Sequence, residues 1–273
     1  MDVPKEGLRK GDEGLQVSVL EVYLRHFGYM DSDLNIFVPE NREYLLRRST
    51  IFDNDLENAL VQYQEFFHLP TTGELDNDTR KMMARPRCGV PEYTASKAKE
   101  TKFAYYPGKP KWNKLDLTYA LENFPFGIER ETIKSSIKAA FDVWKSAVPT
   151  FNFSLSDRIS SSNIKLRFAD RQHSFSNQGA CWSFDGREGV IAHAFPPELG
   201  IVHFDRDEKW SVNANPRFDQ KDLITCSIHE IGHVLGLEHS TVSEDVVMYP
   251  IHKNNRRALQ PDDIQAIQGL YVP

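Results

Sequence analysis

The run His229-Glu230-Ile231-Gly232-His233, continued by Val234-Leu235-Gly236-Leu237-Glu238-His239, constrains this chain more than any other feature. Residues four apart on a helix share a face, so His229 and His233 can offer two imidazoles to one metal ion with Glu230 beside them. Gly236 can take a positive φ, stop the helix and turn the chain so that His239 approaches as a third ligand. Three neutral nitrogens on Zn2+ leave one tetrahedral position for water, the layout of a catalytic rather than a structural zinc site. Water held there becomes a nucleophile near neutral pH, its pKa falling to roughly 7. Glu230 is then placed to accept the water's proton and deliver it to a leaving amine.

The chain around this motif has 273 residues, enough for two domains, and is 40% hydrophobic and 26% charged, which excludes disorder as its main state. A net charge of -6 argues against a dedicated nucleic-acid or anionic-membrane binder. No stretch approaches the roughly 18 consecutive apolar residues of a membrane-spanning helix. Three cysteines, Cys88, Cys181 and Cys226, cannot close a disulfide framework. Met1 to Lys10 has no basic start followed by an apolar run, so no secretory signal is visible. Asn77-Asp78-Thr79 and Asn152-Phe153-Ser154 are acceptor triplets for N-glycosylation if the chain enters the secretory pathway.

Apolar spacing divides the chain in two. Leu15, Val19, Val22 and Tyr23 predict a helix closed near Gly28, and Leu56, Leu60, Tyr63 and Phe67 a second. Asp76 reads as the N-cap of a third, running through Met83. Tyr93 to Lys102 is polar and aperiodic, an exposed linker. Beyond it, Ile133, Ile137, Ala140, Phe141 and Trp144 form one face of a longer helix, and alternation around Phe151–Leu155 and Ile164–Phe168 predicts two half-buried strands. Helical spacing returns at Leu223–Leu237 and Pro261–Leu270. This order suits an α+β domain preceded by a small all-α unit.

Met248 follows His239 by nine residues, in Val247-Met248-Tyr249-Pro250, and Ser240 follows the third histidine directly. With these residues the chain resembles the matrix metalloproteinases, the matrixin branch of the metzincins, from about Gly14 to Tyr271. Pro86-Arg87-Cys88-Gly89-Val90-Pro91-Glu92 resembles the family's cysteine switch, in which the thiolate fills the position water needs. The family ends that motif with Asp, so Glu92 alters the expected pairing with Arg87. The resemblance implies a zincin-type α+β catalytic domain, with a twisted mixed sheet and three helices. It assigns residues 1–92 to an all-α propeptide, 93–102 to a linker and 103–273 to the catalytic domain, with no hemopexin-like domain in the chain.

By the same resemblance His173, His193 and His203 bind a second, structural zinc, and Asp185, Asp205 and Glu208 bind calcium. Imidazoles suit Zn2+ and carboxylates suit Ca2+. The family's first structural-zinc segment places Asp two positions after its His, whereas this chain has His173-Ser174-Phe175, so Asp170 or Cys181 would have to substitute. Asn163 and Ile201 stand where relatives carry Asp, which removes support for a second calcium. Thr225 falls where the family lines the pocket for the residue after the cut. Cys226 reads as a small buried hydrophobe, and His26, His68 and His252 match no ligand pattern.

The expectation is a monomeric zinc endopeptidase acting on extracellular, matrix-type proteins, with Glu230 catalytic and Cys88 holding it latent on the zinc bound by His229, His233 and His239. An activating protease and protein inhibitors are its implied partners, alongside protein or peptide substrates. No paired-basic run marks the linker for a furin-type convertase. The competing reading is a catalytically impaired, metal-stabilised binding protein of the same fold, which has no physical need for Glu230.

Overall fold

The computed structural model describes residues 3–30, 51–92, 105–174 and 181–272, so the predicted linker at Tyr93–Lys102 lies outside the described residues. Chain contacts divide it into two compact units. The first comprises Met1–Arg85, Pro91–Lys97 and Gln172–Asp185, and the second Pro86–Val90, Ala98–Arg171 and Gly186–Pro273. Pro86–Val90 of the cysteine-switch segment thus groups with the second unit, while Pro91, Glu92 and Gln172–Asp185 group with the first.

In the first unit, helices α1 (Leu15–His26), α2 (Asn54–Phe66) and α3 (Asn77–Met83) carry the core. Asp53 and Asp76 cap α2 and α3, accepting from the amides of Leu56 and Thr79 at 3.0 and 2.8 Å. The buried face of α1 is Val17, Leu20, Tyr23 and Leu24, while Leu15 is 56% exposed. The apolar repeat beginning at Leu15 therefore misread the face, because Val17 and Leu20 start the stripe that meets Tyr63 of α2. Gln64 is fully buried without penalty: its amide nitrogen donates to Glu74 O and Thr79 Oγ1, and its oxygen accepts from Gly73 N.

The second unit is built on a six-stranded sheet. Its strands are β1 (Arg87–Cys88), β2 (Asp116–Leu121), β3 (Asn152–Leu155), β4 (Ile164–Ala169), β5 (Val190–Phe195) and β6 (Ile201–Asp205), in the order β1-β5-β6-β4-β2-β3. β5 runs antiparallel to β6, and β1 lies parallel to β5. A short parallel pair, β7 (Trp210–Ser211) and β8 (Lys221–Asp222), leads into the motif helix. Helix α4 (Arg130–Ala147) buries Ile133, Ile137, Phe141 and Trp144 in a core shared with α5 (Leu223–Val234) and α6 (Pro261–Tyr271). Two indole N–H groups fix α5 through its carbonyls, Trp144 to Ile228 O and Trp112 to Val234 O, both at 2.8 Å.

Candidate active site

Asp222 starts α5 by accepting from the amides of Ile224 and Thr225, and it forms a 2.7 Å ion pair with Arg257. Its neighbours act against each other. Burial pushes the carboxyl up, but the Arg257 guanidinium and the Thr225 hydroxyl overcome this and leave it below the ordinary value. His229 and His233 then fall on successive turns, and the helix ends at Val234, short of the predicted Leu237 and just before Gly236. Gly236 has φ 103°, and a side chain there would overlap the Pro110 carbonyl. Leu237 N donates to Gly232 O at 3.0 Å, and the reversed chain carries His239 back to the other two.

The three Nε2 atoms stand 3.1, 3.2 and 3.3 Å apart, all in buried rings. Nitrogens bound to a tetrahedral ion at about 2.0–2.1 Å stand about 3.3 Å from one another, so the triangle fits zinc. The tautomers fit too. Nδ1 of His229 faces Val247 O at 2.7 Å, and Nδ1 of His233 faces Leu237 O at 2.8 Å. A carbonyl only accepts, so each Nδ1 carries the proton and each Nε2 turns its lone pair inward. Burial, followed by the neighbouring His233, holds His229 well below the ordinary imidazole range and keeps it neutral.

Cys88 reaches the same centre, its Sγ 3.6 Å from His233 Nε2, and the four ligand atoms all lie within 4.8 Å of one another. Main-chain bonds hold it there: Arg87 N to Gly189 O, Cys88 N to Pro250 O and Gly89 N to Ala192 O, at 2.7 to 2.9 Å. Val90 N donates to the sulfur at 3.4 Å. Burial and then Glu230 push the thiol well above its ordinary value, so thiolate at this position calls for a cation beside it. Glu230 is itself buried, and that burial raises its carboxyl to about 8, with Oε2 lacking any hydrogen-bond partner among the described residues. A cation among the imidazoles would draw that value down toward neutrality.

The Met248 turn closes the site from beneath. A Cβ on Gly232 would overlap the Met248 sulfur and lie 2.9 Å from Trp144, so α5 and the turn meet at the one position without a side chain. Asp263 pins the turn, its carboxylate accepting from the amides of Val247 and Met248 at 3.0 and 3.1 Å. Asp263 lies in the first turn of α6, and nothing local in the sequence announces this role. It also missed Tyr106, whose hydroxyl lies 3.3 Å from His233 Nδ1. The Thr225 hydroxyl points to Asp222 Oδ2 at 2.7 Å, so it serves the helix cap while the residue lines a cavity with Cys226, Glu230, Tyr249, His252 and Arg256.

His193 and His203 are register partners across β5 and β6, with Nε2 and Nδ1 3.1 Å apart in a buried pair. His173 lies in the first unit, stacked on Phe184 with ring centroids 4.8 Å apart, and Cys181 is buried in the same unit. Asp170 is engaged by Arg206 at 2.7 Å instead. Asp205 and Glu208 are buried in the second unit, while Asp185 belongs to the first. One oxygen of each accepts from a backbone amide, Asp207 N and Glu188 N, while Asp205 Oδ2 and Glu208 Oε2 have no partner among the described residues. Burial raises these carboxyls to about 6 and about 7. Two orphaned acidic oxygens suit a hard cation such as Ca2+. Asn163 Oδ1 accepts from Thr118 N at 3.1 Å and ties β4 to β2.

Comparison with known families matches the Matrixin family over residues 111–272 and a peptidoglycan binding domain family over residues 13–83. Metalloendoproteinase 1-MMP of Arabidopsis thaliana is 35% identical over 269 residues, covering 94% of this chain and 69% of the relative. Stromelysin-1 of Equus caballus is 34% identical over 272 residues, 96% of this chain and 50% of its own length. Interstitial collagenase of Oryctolagus cuniculus is 38% identical over 218 residues, 78% of this chain and 42% of its own.

Proposed function

The chain belongs to the matrixin family and is a zinc metalloendopeptidase with calcium as a further cofactor, and from that premise we propose that it is made latent and acts outside the cell on matrix-type proteins. The observation that carries the latency is the meeting of Cys88 Sγ with the three imidazole nitrogens inside 4.8 Å. His229, His233 and His239 hold the catalytic zinc in this reading, and Cys88 is its fourth ligand until the propeptide leaves. Residues 1–92 serve as that propeptide, 93–102 as the segment cut on activation, and 103–273 as the catalytic domain. His193 and His203 contribute to a structural zinc, and Asp205 and Glu208 to a calcium site.

Zinc bound there supplies Lewis acidity to the scissile carbonyl and to the attacking water. Glu230, buried with no hydrogen-bond partner for Oε2 among the described residues, takes the water's proton and later passes it to the leaving nitrogen. A substrate strand binds along β5 through main-chain hydrogen bonds. In the latent protein β1 occupies that edge, with Gly89 N on Ala192 O. Latency therefore rests on two effects, a thiol in the place of water and a strand in the place of substrate. An activating protease other than a furin-type convertase, or self-cleavage, is the proposed trigger.

The test is cleavage of a quenched-fluorescent peptide by the full-length protein in zinc and calcium, before and after a thiol-blocking reagent. Activity is expected only after the block. Full activity beforehand would remove Cys88 from its role. Inactivity afterwards, with zinc bound and Cys88 modified, would favour a binding protein.

A further inference from the structure

We propose that Asn152 carries an N-linked glycan that shields the open edge of the six-stranded sheet. The proposal rests on passage through the secretory pathway, as the extracellular reading requires. Among the described residues β3 is the last strand of the sheet, paired only with β2. Asn152 N and Ser156 N donate inward, to Leu115 O and Tyr119 O at 2.9 and 2.8 Å. By alternation, the backbone groups of Phe153 and Leu155 face the unpaired side. Such an edge is a template for pairing with another chain, and proteins blunt it with charge, proline or a bulge. Asn152-Phe153-Ser154-Leu155 has no charge or proline, its pairing with β2 runs in unbroken register, and Leu155 is 42% exposed.

The side chains divide as a glycan requires. Phe153 packs inward, its ring centroid 4.8 Å from Phe141 and 5.1 Å from Phe151. Asn152 and Ser154, two residues apart, share the opposite face, are exposed, and have no side-chain hydrogen bonds among the described residues. A bulky substituent on Asn152 therefore displaces nothing in the fold. The other acceptor triplet is different: Thr79 is buried, and its hydroxyl accepts from Gln64 Nε2 at 3.0 Å. In the transfer, the bond between the sugar C1 and the pyrophosphate oxygen of a lipid-linked oligosaccharide breaks. A bond from C1 to Asn152 Nδ2 forms, the amide nitrogen gives up a proton, and lipid pyrophosphate leaves.

The experiment is expression of the full chain behind a cleavable export leader in a glycosylating eukaryotic host, with medium and retained membranes both analysed. Trypsin cuts after Lys145 and Arg158, isolating Asn152 on one peptide. That peptide is expected in its plain mass position only after enzymatic glycan release, with Asn152 converted to Asp, and Ser154→Ala should abolish the modification. Asn152→Gln should shift the protein toward larger species in size-exclusion chromatography. Unmodified Asn152 in exported material would overturn the proposal, and occupancy without any change in self-association on Asn152→Gln would overturn the shielding. Export without the added leader is scored separately, so a failed extracellular reading is told apart from a failed acceptor. Peptide cleavage by the same samples reports the endopeptidase independently.

Discussion

Around His229, His233 and His239 the protein finds work for the nitrogens that face away from the centre, setting Val247 O and Leu237 O against two of the Nδ1 atoms. Around Asp205 and Glu208 it does the reverse, burying two carboxylate oxygens that have no hydrogen-bond partner among the described residues. The first cluster sits on a capped helix and a pinned turn, so its geometry is fixed by the scaffold before any metal arrives. The second sits at the end of β6 and in the turn after it, where Arg171 and Lys221 offset the burial of the carboxylates only in part. If calcium binds at Asp205 and Glu208 as proposed, one region is organised for its metal and the other by it. Catalysis needs the former, because a ligand set that had to assemble on the ion would also move during turnover.

The sharpest way to break this comparison is at Glu230. Glu230→Ala should lower peptide cleavage by about 10²–10⁴ while zinc content and melting temperature stay near wild type. Loss of zinc along with activity would show that the cluster is not held by the scaffold alone. Retained turnover would remove the carboxylate from the chemistry.

Calcium removal should separate the two regions next. Asp205 and Glu208 have folded values of about 6 and about 7, raised by burial above their unfolded ones. Unfolding therefore releases protons, and stability present below the ordinary carboxylate range is lost as pH rises through 6 and 7. A calcium chelator should accordingly lower the melting temperature more at pH 7.5 than at pH 5. Equal losses at both pH values would mean that these carboxylates do not carry the ion.

The contrast also explains what could be read in advance. α3 and α5 were legible because Asp76 and the histidine spacing are local signals, and Gly236 marks the stop by itself. The sheet was half legible. β4 alternates, but β5 is buried nearly throughout, so Val190–Phe195 lacks a period of two and its spacing alone does not announce a strand. β1 could not be foreseen as a strand, since two residues pair with Val190 and Ala192 across a hundred positions of sequence. The same limit hid Asp263, whose partners Val247 and Met248 are tertiary neighbours. Ligands carried by one helix and its turn are visible in sequence, whereas the groups that steady them are placed by packing.

Packing under the histidines offers a smaller break. Gly232→Ala puts a methyl into the Met248 sulfur and Trp144, and overpacking of this kind costs about 1–3 kcal/mol. The variant should unfold at lower urea, and its zinc affinity should fall because His233 follows directly. A variant of wild-type stability would show that Met248 yields easily and that the turn is not what sets the imidazole triangle.

The mildest test lies at the start of the helix that bears them. Asp222→Ala removes both amide bonds of the cap and leaves Arg257 with the Val212 carbonyl but without its carboxylate, and loss of such a cap is worth about 1 kcal/mol, toward the upper end of the range for a buried one. The pH dependence has the opposite sign from that of Asp205 and Glu208. The folded Asp222 carboxyl lies below its unfolded value, so its stabilisation is fully present above the ordinary carboxylate range and fades as pH falls through the folded value. The gap between wild type and Asp222→Ala in urea midpoint should therefore be widest at neutral pH and narrow in acid, with calcium present throughout. A gap that stays constant with pH would assign the cap's effect to shape and hydrogen bonding rather than to charge, and would separate α5 from the electrostatics that govern Asp205 and Glu208.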